Sequence, residues 1–181
     1  MKIKAKVMDQ RKISSTLKRL AMEVIERNRD LNNTAIVGIR TRGVIIGERI
    51  LKLIEKLEGV KLNFGILDIT LYRDDLSTIG PNPVVKGTEI DFDVTGKDII
   101  LVDDVLFSGR TVRAALDSII DFGRPNTIQL LVLIDRGHRE LPIHADYVGK
   151  TLPTSKREIV EVRLKEIDGS DEVLIVEEEG F

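Results

Sequence analysis

Apolar positions along the chain follow two periods. Ala35 to Ile39, Ile99 to Val102 and Ile128 to Ile134 are short continuous runs, the pattern of strands buried on both faces. Residues spaced three and four apart predict helices between them: Ile13, Leu17, Leu20, Ala21 and Val24 behind an Asp9 cap, then Val44 to Leu57, then Thr111 to Ile120, which Gly123 and Pro125 stop. Asn63 to Leu71 predicts a further strand. The last third reads as short strands over Asp146 to Gly149, Ile159 to Leu164 and Val173 to Val176. Val160, Val162 and Leu164 alternate there with Ile159, Glu161 and Arg163, so one face is buried. Strands alternating with helices predict an α/β domain: a central parallel sheet of about five strands, helices on both faces.

Chemistry-bearing residues cluster where these strands end. After Val102 come Asp103 and Asp104, a turn over Leu106 to Gly109, and a helix. Ligands of open α/β sheets sit beyond the carboxyl ends of strands, and a helix start offers N–H groups to an anion, which places Ser108, Gly109, Arg110 and Thr111 to hold a phosphate. Two acids beside a phosphate repel it unless they face something else; ribose hydroxyls and a hydrated Mg²⁺ both fit. Two other readings stand beside this one: acids that merely end a sheet strand, and a phospho-accepting aspartate, whose partner acids find no match near the N-terminus. The turn Arg40-Thr41-Arg42-Gly43 suits a diphosphate, with glycine allowing close backbone approach and arginine forking onto oxygens; equally, it is two surface arginines on a loop. Asp135-Arg136-Gly137-His138-Arg139 closes the Ile128 to Ile134 strand. His138 alone could be a base, a metal ligand or a surface residue, but the other histidine, His144, brings no familiar metal spacing. Tyr72 to Thr95, with Gly80, Pro81, Pro83 and Gly87, is a long polar segment of the kind that serves as a lid.

At 181 residues the chain suits a single domain. The absence of cysteine excludes disulfides and thiolate metal sites, and no run is apolar enough for a membrane span or signal peptide, so a cytoplasmic enzyme is expected. A net charge of −2 argues against a generic nucleic-acid binder. From Glu158 to Glu179, however, nine acids face two bases, net −7, which leaves +5 elsewhere. Arg11, Lys12, Lys18 and Arg19 share the polar side of the first helix, as a solvated face or as a contact surface.

The stretch Ile100 to Thr111 resembles the phosphoribosyl-diphosphate (PRPP) signature of type I phosphoribosyltransferases. Read with TRG at Thr41 to Gly43, DITLYRDDL at Asp68 to Leu76, DRGHRELPI at Asp135 to Ile143 and PTS at Pro153 to Ser155, the chain resembles the PyrR family from about Asp9 to the last strand. These are pyrimidine operon attenuators that are also uracil phosphoribosyltransferases. The resemblance implies the type I phosphoribosyltransferase fold, with a core over about residues 9–150 and a small hood from the C-terminal strands. It implies Mg²⁺ as cofactor, PRPP, uracil and UMP as ligands, a pyrimidine operon mRNA hairpin as partner, and a homo-oligomer, dimer or higher. Asp103 and Asp104 would face the ribose and its Mg²⁺. Val105, Leu106, Phe107 and Ser108 to Thr111 would line the phosphate and base side, and Arg40, Thr41, Arg42 and Gly43 the diphosphate side, in a loop that often holds a cis peptide. Tyr72 and Arg73 would lie at the hinge of a catalytic loop, and Arg136 and Val160 near the base. Lys18, Arg19, Arg27, Arg139 and Lys150 would meet RNA. The chain departs from the family at Met22, where histidine is usual, and at His144, where arginine is usual. Purine phosphoribosyltransferases commonly carry an aspartate where this chain has Phe107, which weakens a purine reading. The alternatives are a uracil salvage enzyme with weak or lost RNA binding, and a purine phosphoribosyltransferase.

Overall fold

The computed structural model describes residues 1–75 and 86–177. In chain order they form β1 (Lys2–Met8), α1 (Gln10–Arg27), β2 (Thr34–Ile39), α2 (Arg42–Glu58), β3 (Asn63–Leu67), β4 (Asp98–Leu106) and α3 (Arg110–Phe122). There follow β5 (Thr127–Asp135), β6 (Tyr147–Thr151), β7 (Glu158–Arg163), α4 (Lys165–Asp168) and β8 (Glu172–Glu177). Five parallel strands in the order β3-β2-β4-β5-β6 make the main sheet, and β1-β8-β7 make an antiparallel hood.

The continuous apolar runs have the predicted cause. Ile36, Ile100, Val102, Leu131 and Leu133 point to one face of the sheet, among Ile13, Leu17 and Leu20 of α1 and Ile46, Ile50 and Ile54 of α2. Val37, Ile99, Leu101 and Val132 point to the other, among Val112, Ala115 and Ile119 of α3. Both faces of the central strands are covered, so β2, β4 and β5 do not alternate, whereas the edge strand β3 does. The Asp9 carboxylate accepts the Lys12 amide at 2.8 Å, capping α1 as expected.

Several boundaries move. β4 runs past Val102 because β5 stays beside it, pairing Asp103 with Val132 and Leu106 with Asp135. The acid pair therefore stands within a strand, not after it. α2 starts at Arg42, two residues before the predicted helix, so Arg42 and Gly43 form its first turn. The strand expected to reach Leu71 stops at Leu67, opposite the last residue of β2, and Thr70–Tyr72 curl into a 3₁₀ turn. The hood is drawn from both ends of the chain: β1, unanticipated in the sequence, flanks β8, while β6 joins the main sheet as its edge. β1 was illegible because its side chains are mostly exposed, and its Lys4 and Lys6 pair with Glu158 of β7 and Glu172 of β8. Among the described residues, no helix is long and apolar enough to cross a membrane.

From β2 the chain winds through α2 to β3 on one side, whereas β4 is followed through α3 by β5 on the other. The crevice where the winding reverses lies between the carboxyl ends of β2 and β4. β2 ends at Ile39, and its last pair with β4 joins Gly38 to Val102. Beyond that point one edge of β4 is uncovered, and Asp103 and Asp104 follow at once.

Candidate active site

A cavity of about 410 Å³ opens at this crevice. Arg40, Thr41 and Arg42 line one side, Asp103, Asp104, Val105 and Thr111 another, and Asp68, Thr70, Arg73 and Lys86 a third. Seven of the residues nominated from the two strand ends thus meet in one space, with Arg73 opposite them.

The first wall is set by close packing. The Arg40–Thr41 peptide is cis. A Cβ on Gly43 would come within 2.4 Å of the Val102 carbonyl oxygen, so glycine is demanded by the contact of α2 with β4. This packing gives Gly43 a structural reason beside the close backbone approach to a diphosphate expected of it. Gly38 faces the same junction, where a Cβ would lie 2.5 Å from the Val44 Cα. The two glycines together lower the start of α2 onto the sheet and bring Arg42 beside the acids. Arg40 Nε donates to the Gly87 carbonyl at 2.9 Å. Arg42 Nη2 donates to Asp168 of α4 at 2.8 Å, while its Nε is buried without an acceptor.

The acid pair is unequal. Asp103 is 8% exposed, and its Oδ1 accepts the Asp104 amide at 2.9 Å. Burial, with Asp104 beside it, pushes the Asp103 carboxyl well above the usual carboxylate range. Asp104 is only partly buried, and its Oδ1 accepts the Val105 amide at 2.8 Å. Two adjacent carboxylates of this kind fit a Mg²⁺ that keeps waters and shares a substrate's oxygens, since that ion rarely takes an all-protein cage. Among the described residues, no cluster of three or more metal-ligating groups occurs.

Gly109, at φ +91°, turns the chain into α3 and has no side chain to cap that helix start, where Ser108 Oγ makes a long 3.3 Å contact with the first amide. Its first-turn amides remain suited to an anion. The Arg110 side chain is not: its Nη1 donates to Asp74 and its Nε to Glu140, both at 2.6 Å. Of Arg110 only the backbone faces the nominated phosphate site, and its amide donates at 3.3 Å to Ser108 Oγ, an acceptor that an arriving phosphate would replace. Past the turn, the buried Arg136 guanidinium stacks on the half-exposed Phe107 ring at 4.1 Å. Arg136 also donates to Thr154 Oγ1 at 3.2 Å and to the Ser155 carbonyl at 3.1 Å, joining the DRGHR and PTS segments. Burial lowers the Arg136 pKa from its ordinary value. His138 packs edge-on to Phe107, with Nε2 2.6 Å from the Thr154 carbonyl. Its other neighbours give it no metal-site company. Val160 is buried in the apolar cluster that Val105 packs against. Leu106 is fully buried and supports the turn from below. Tyr72 lines no part of the cavity; its hydroxyl donates to Asp121 of α3. Of the segment expected as a lid, Tyr72 to Thr95, residues 76–85 lie outside the described residues, and Glu89 beyond them bridges Ile66 of β3.

Sequence reasoning assigned no role to Asp68. Its Oδ1 accepts the Thr70 amide at 2.9 Å and its Oδ2 accepts the Lys86 and Gly87 amides at 2.6 and 3.0 Å, fastening both sides of the segment. Burial alone would raise its carboxyl, but Thr70 and these amides hold it below the usual range. Position at the end of the β3 apolar run was the available signal.

The five residues nominated for RNA divide. Arg19 and Lys150 border a groove of about 290 Å³ between α1 and β6, with Lys12 and Ser15. Arg19 also donates to Glu23 at 2.8 Å and to the Gly149 carbonyl at 2.5 Å. Lys18 is exposed on the same helix, and Arg27 pairs with Asp146 at 3.0 Å. Arg139 stands apart from the groove. Its donors go to Asp135, the Phe107 carbonyl and the Ile143 carbonyl at 2.6 to 2.9 Å, so it braces the turn beside Phe107.

A crevice of this construction on a five-stranded parallel sheet is the site of a phosphoribosyltransferase, and the model of the phosphoribosyl transferase domain matches residues 5–167. A hypoxanthine-guanine phosphoribosyltransferase from Bacillus anthracis superposes with a TM-score of 0.73, covering 97% of this chain and 99% of its own at 18% identity, a likeness of fold alone. A Trypanosoma cruzi hypoxanthine phosphoribosyltransferase gives 0.73, covering 98% of both chains at 13% identity. Bifunctional protein PyrR of Clostridioides difficile is 60% identical over 96% of this chain and 98% of its own, and that of Deinococcus radiodurans 54% identical over 98% and 97%. The chain belongs to the PyrR family.

Proposed function

We propose that the cleft transfers the phosphoribosyl group of PRPP to uracil, giving UMP and diphosphate, and that the UMP-bound protein grips a pyrimidine operon mRNA hairpin. The observation that carries the enzymatic reading is the convergence of Arg42, the Asp103–Asp104 pair and the open start of α3 on one crevice. In the reaction the C1′–diphosphate bond breaks with its electron pair going to the diphosphate, the uracil N1–C1′ bond forms, and the N1 proton passes to solvent water. Asp103 and Asp104 orient the ribose hydroxyls and are the residues that would hold a hydrated Mg²⁺, which would supply positive charge for the leaving group. Amides at Ser108 to Thr111 hold the 5′-phosphate. Arg40, Thr41 and Arg42 receive the departing diphosphate, where preorganised charge contributes most. Arg73 faces the same cavity, and Tyr72, tied to α3, anchors the turn before the loop. Phe107, backed by Arg136, offers an apolar surface to the base instead of a carboxylate, which favours a pyrimidine over a purine.

For RNA, the groove residues Arg19 and Lys150 make the centre of the contact surface, with exposed Lys18 and with Arg27 at the end of α1 on the same helix. UMP promotes binding only if it prefers the RNA-competent state. Assembly into a homodimer or larger oligomer belongs to the same reading. The test pairs uracil-dependent UMP formation, with hypoxanthine and guanine as competitors, and filter retention of the hairpin with and without UMP against a scrambled RNA. Faster turnover of a purine overturns the substrate assignment. Equal, weak retention of both RNAs leaves a uracil salvage enzyme.

A further inference from the structure

Arg42 and Arg49 both reach from α2 to the acidic hood segment Lys165–Asp171, and they differ in commitment. Arg49 is engaged at all three nitrogens: Nε and Nη2 donate to Glu166 at 3.0 and 2.6 Å, and Nη1 and Nη2 to Asp171 at 2.9 and 2.8 Å. Among the described residues Arg42 makes one bond, Nη2 to Asp168 Oδ1 at 2.8 Å, and its buried Nε finds no acceptor although the side chain lines the cleft. Asp168 is fixed independently, because its Oδ2 accepts the Leu164 amide at 2.8 Å. Burial would raise its carboxyl, but that amide and Arg42 keep it below the usual range.

The grip of Arg49 keeps this segment on α2 whether or not Arg42 reaches Asp168, so the Arg42–Asp168 pair is not what docks the hood. The pair is also partly exposed, at 33% and 20% of the two side chains, where an ion pair is weak. In this pose Arg42 cannot satisfy its donors, whereas a diphosphate offers its planar fork two oxygens at once.

We infer that Asp168 is a parking acceptor for Arg42: it holds the guanidinium while no diphosphate is bound and releases it to an arriving diphosphate. The inference rests on the reading of the cleft as a diphosphate site. It makes Asp168 a positioning residue that sets affinity for the diphosphate end of the substrate from the hood, without touching the base.

Calorimetric titration of magnesium pyrophosphate into the full chain tests this. Asp168→Asn keeps an acceptor for the Leu164 amide and removes the charge; it is expected to bind magnesium pyrophosphate roughly three- to fivefold more tightly. KM for PRPP falls in parallel while KM for uracil stays. Asp168→Ser, which also retains an acceptor, gives the same gain should the asparagine variant fold poorly. Glu166→Gln removes a charge from the same segment without freeing Arg42 and stays within about twofold of wild type. Equal gains in the Asp168 and Glu166 variants would show a diffuse charge effect and overturn the proposal. Unchanged or weaker binding in both Asp168 variants would overturn it as well, the latter by showing that Asp168 prepares Arg42 for the anion. Wild-type protein that fails to bind magnesium pyrophosphate removes the diphosphate reading itself, and the proposal with it.

Discussion

The cleft and the α1–β6 groove both gather cations, but the cleft pairs more of them with carboxylates. There Arg40 faces Glu89, Arg42 faces Asp168 and Arg73 faces Asp75, while Lys86 has no ion-pair partner among the described residues. In the groove Arg19 is partly held by Glu23, whereas Lys12 and Lys150 are exposed and have no ion-pair partner among the described residues. A compensated cation yields only to an anion that binds it better than a carboxylate does, which suits a small, highly charged substrate. Uncompensated lysines attract any polyanion, and their contribution depends on salt. The two surfaces should therefore respond independently to mutation.

The largest effect is expected in the cleft. Asp104→Asn should lower uracil turnover by roughly 100-fold or more, with an unchanged thermal midpoint and unchanged hairpin retention; turnover near wild type would remove Asp104 from the reaction. Next, Lys12→Ala with Lys150→Ala should weaken hairpin binding about tenfold and reduce the slope of log affinity against log salt by roughly one to two, leaving turnover intact. A parallel loss of turnover would join what the structure separates.

Asp103→Asn sharpens the comparison through stability. The folded protein raises the pKa of this carboxyl, so it binds the proton more tightly than the unfolded chain does. Stability is then lost as pH rises from the unfolded value through the folded one. The asparagine variant should be inactive yet more resistant to urea at neutral pH by roughly 1 kcal/mol, with the advantage shrinking toward acid, where wild-type Asp103 is protonated in both states. A constant gap from acid to neutral pH would contradict the assigned cause. The smallest change is Glu23→Gln, which frees Arg19 from its exposed pair. A stability change of a few tenths of a kcal/mol and a slight gain in RNA affinity are expected, both read in the same retention and denaturation assays.

What the sequence determined follows from short-range rules. Fully apolar runs such as Ile128 to Ile134 can only be strands covered on both sides, and the α1 stripe from Ile13 to Val24 can only face a core, so the parallel sheet and its helices were legible. So was the convergence of Arg40–Arg42 with Asp103 and Asp104, because the carboxyl ends of parallel strands all lie at one edge. Tertiary structure decided what depends on neighbours distant in the chain. β4 extends through the acid pair only because β5 accompanies it, and β1 is a strand only because β8 supplies its hydrogen bonds. Gly43 is fixed by the Val102 carbonyl it must pass. The free or engaged state of each cation is likewise decided by distant partners: Arg139 braces a turn, Arg110 meets Asp74 and Glu140, and Arg42 meets an aspartate 126 positions away. Periodicity reports which face of an element is buried, since that is a property of the element itself; which charge lies across from it is a property of the packed whole.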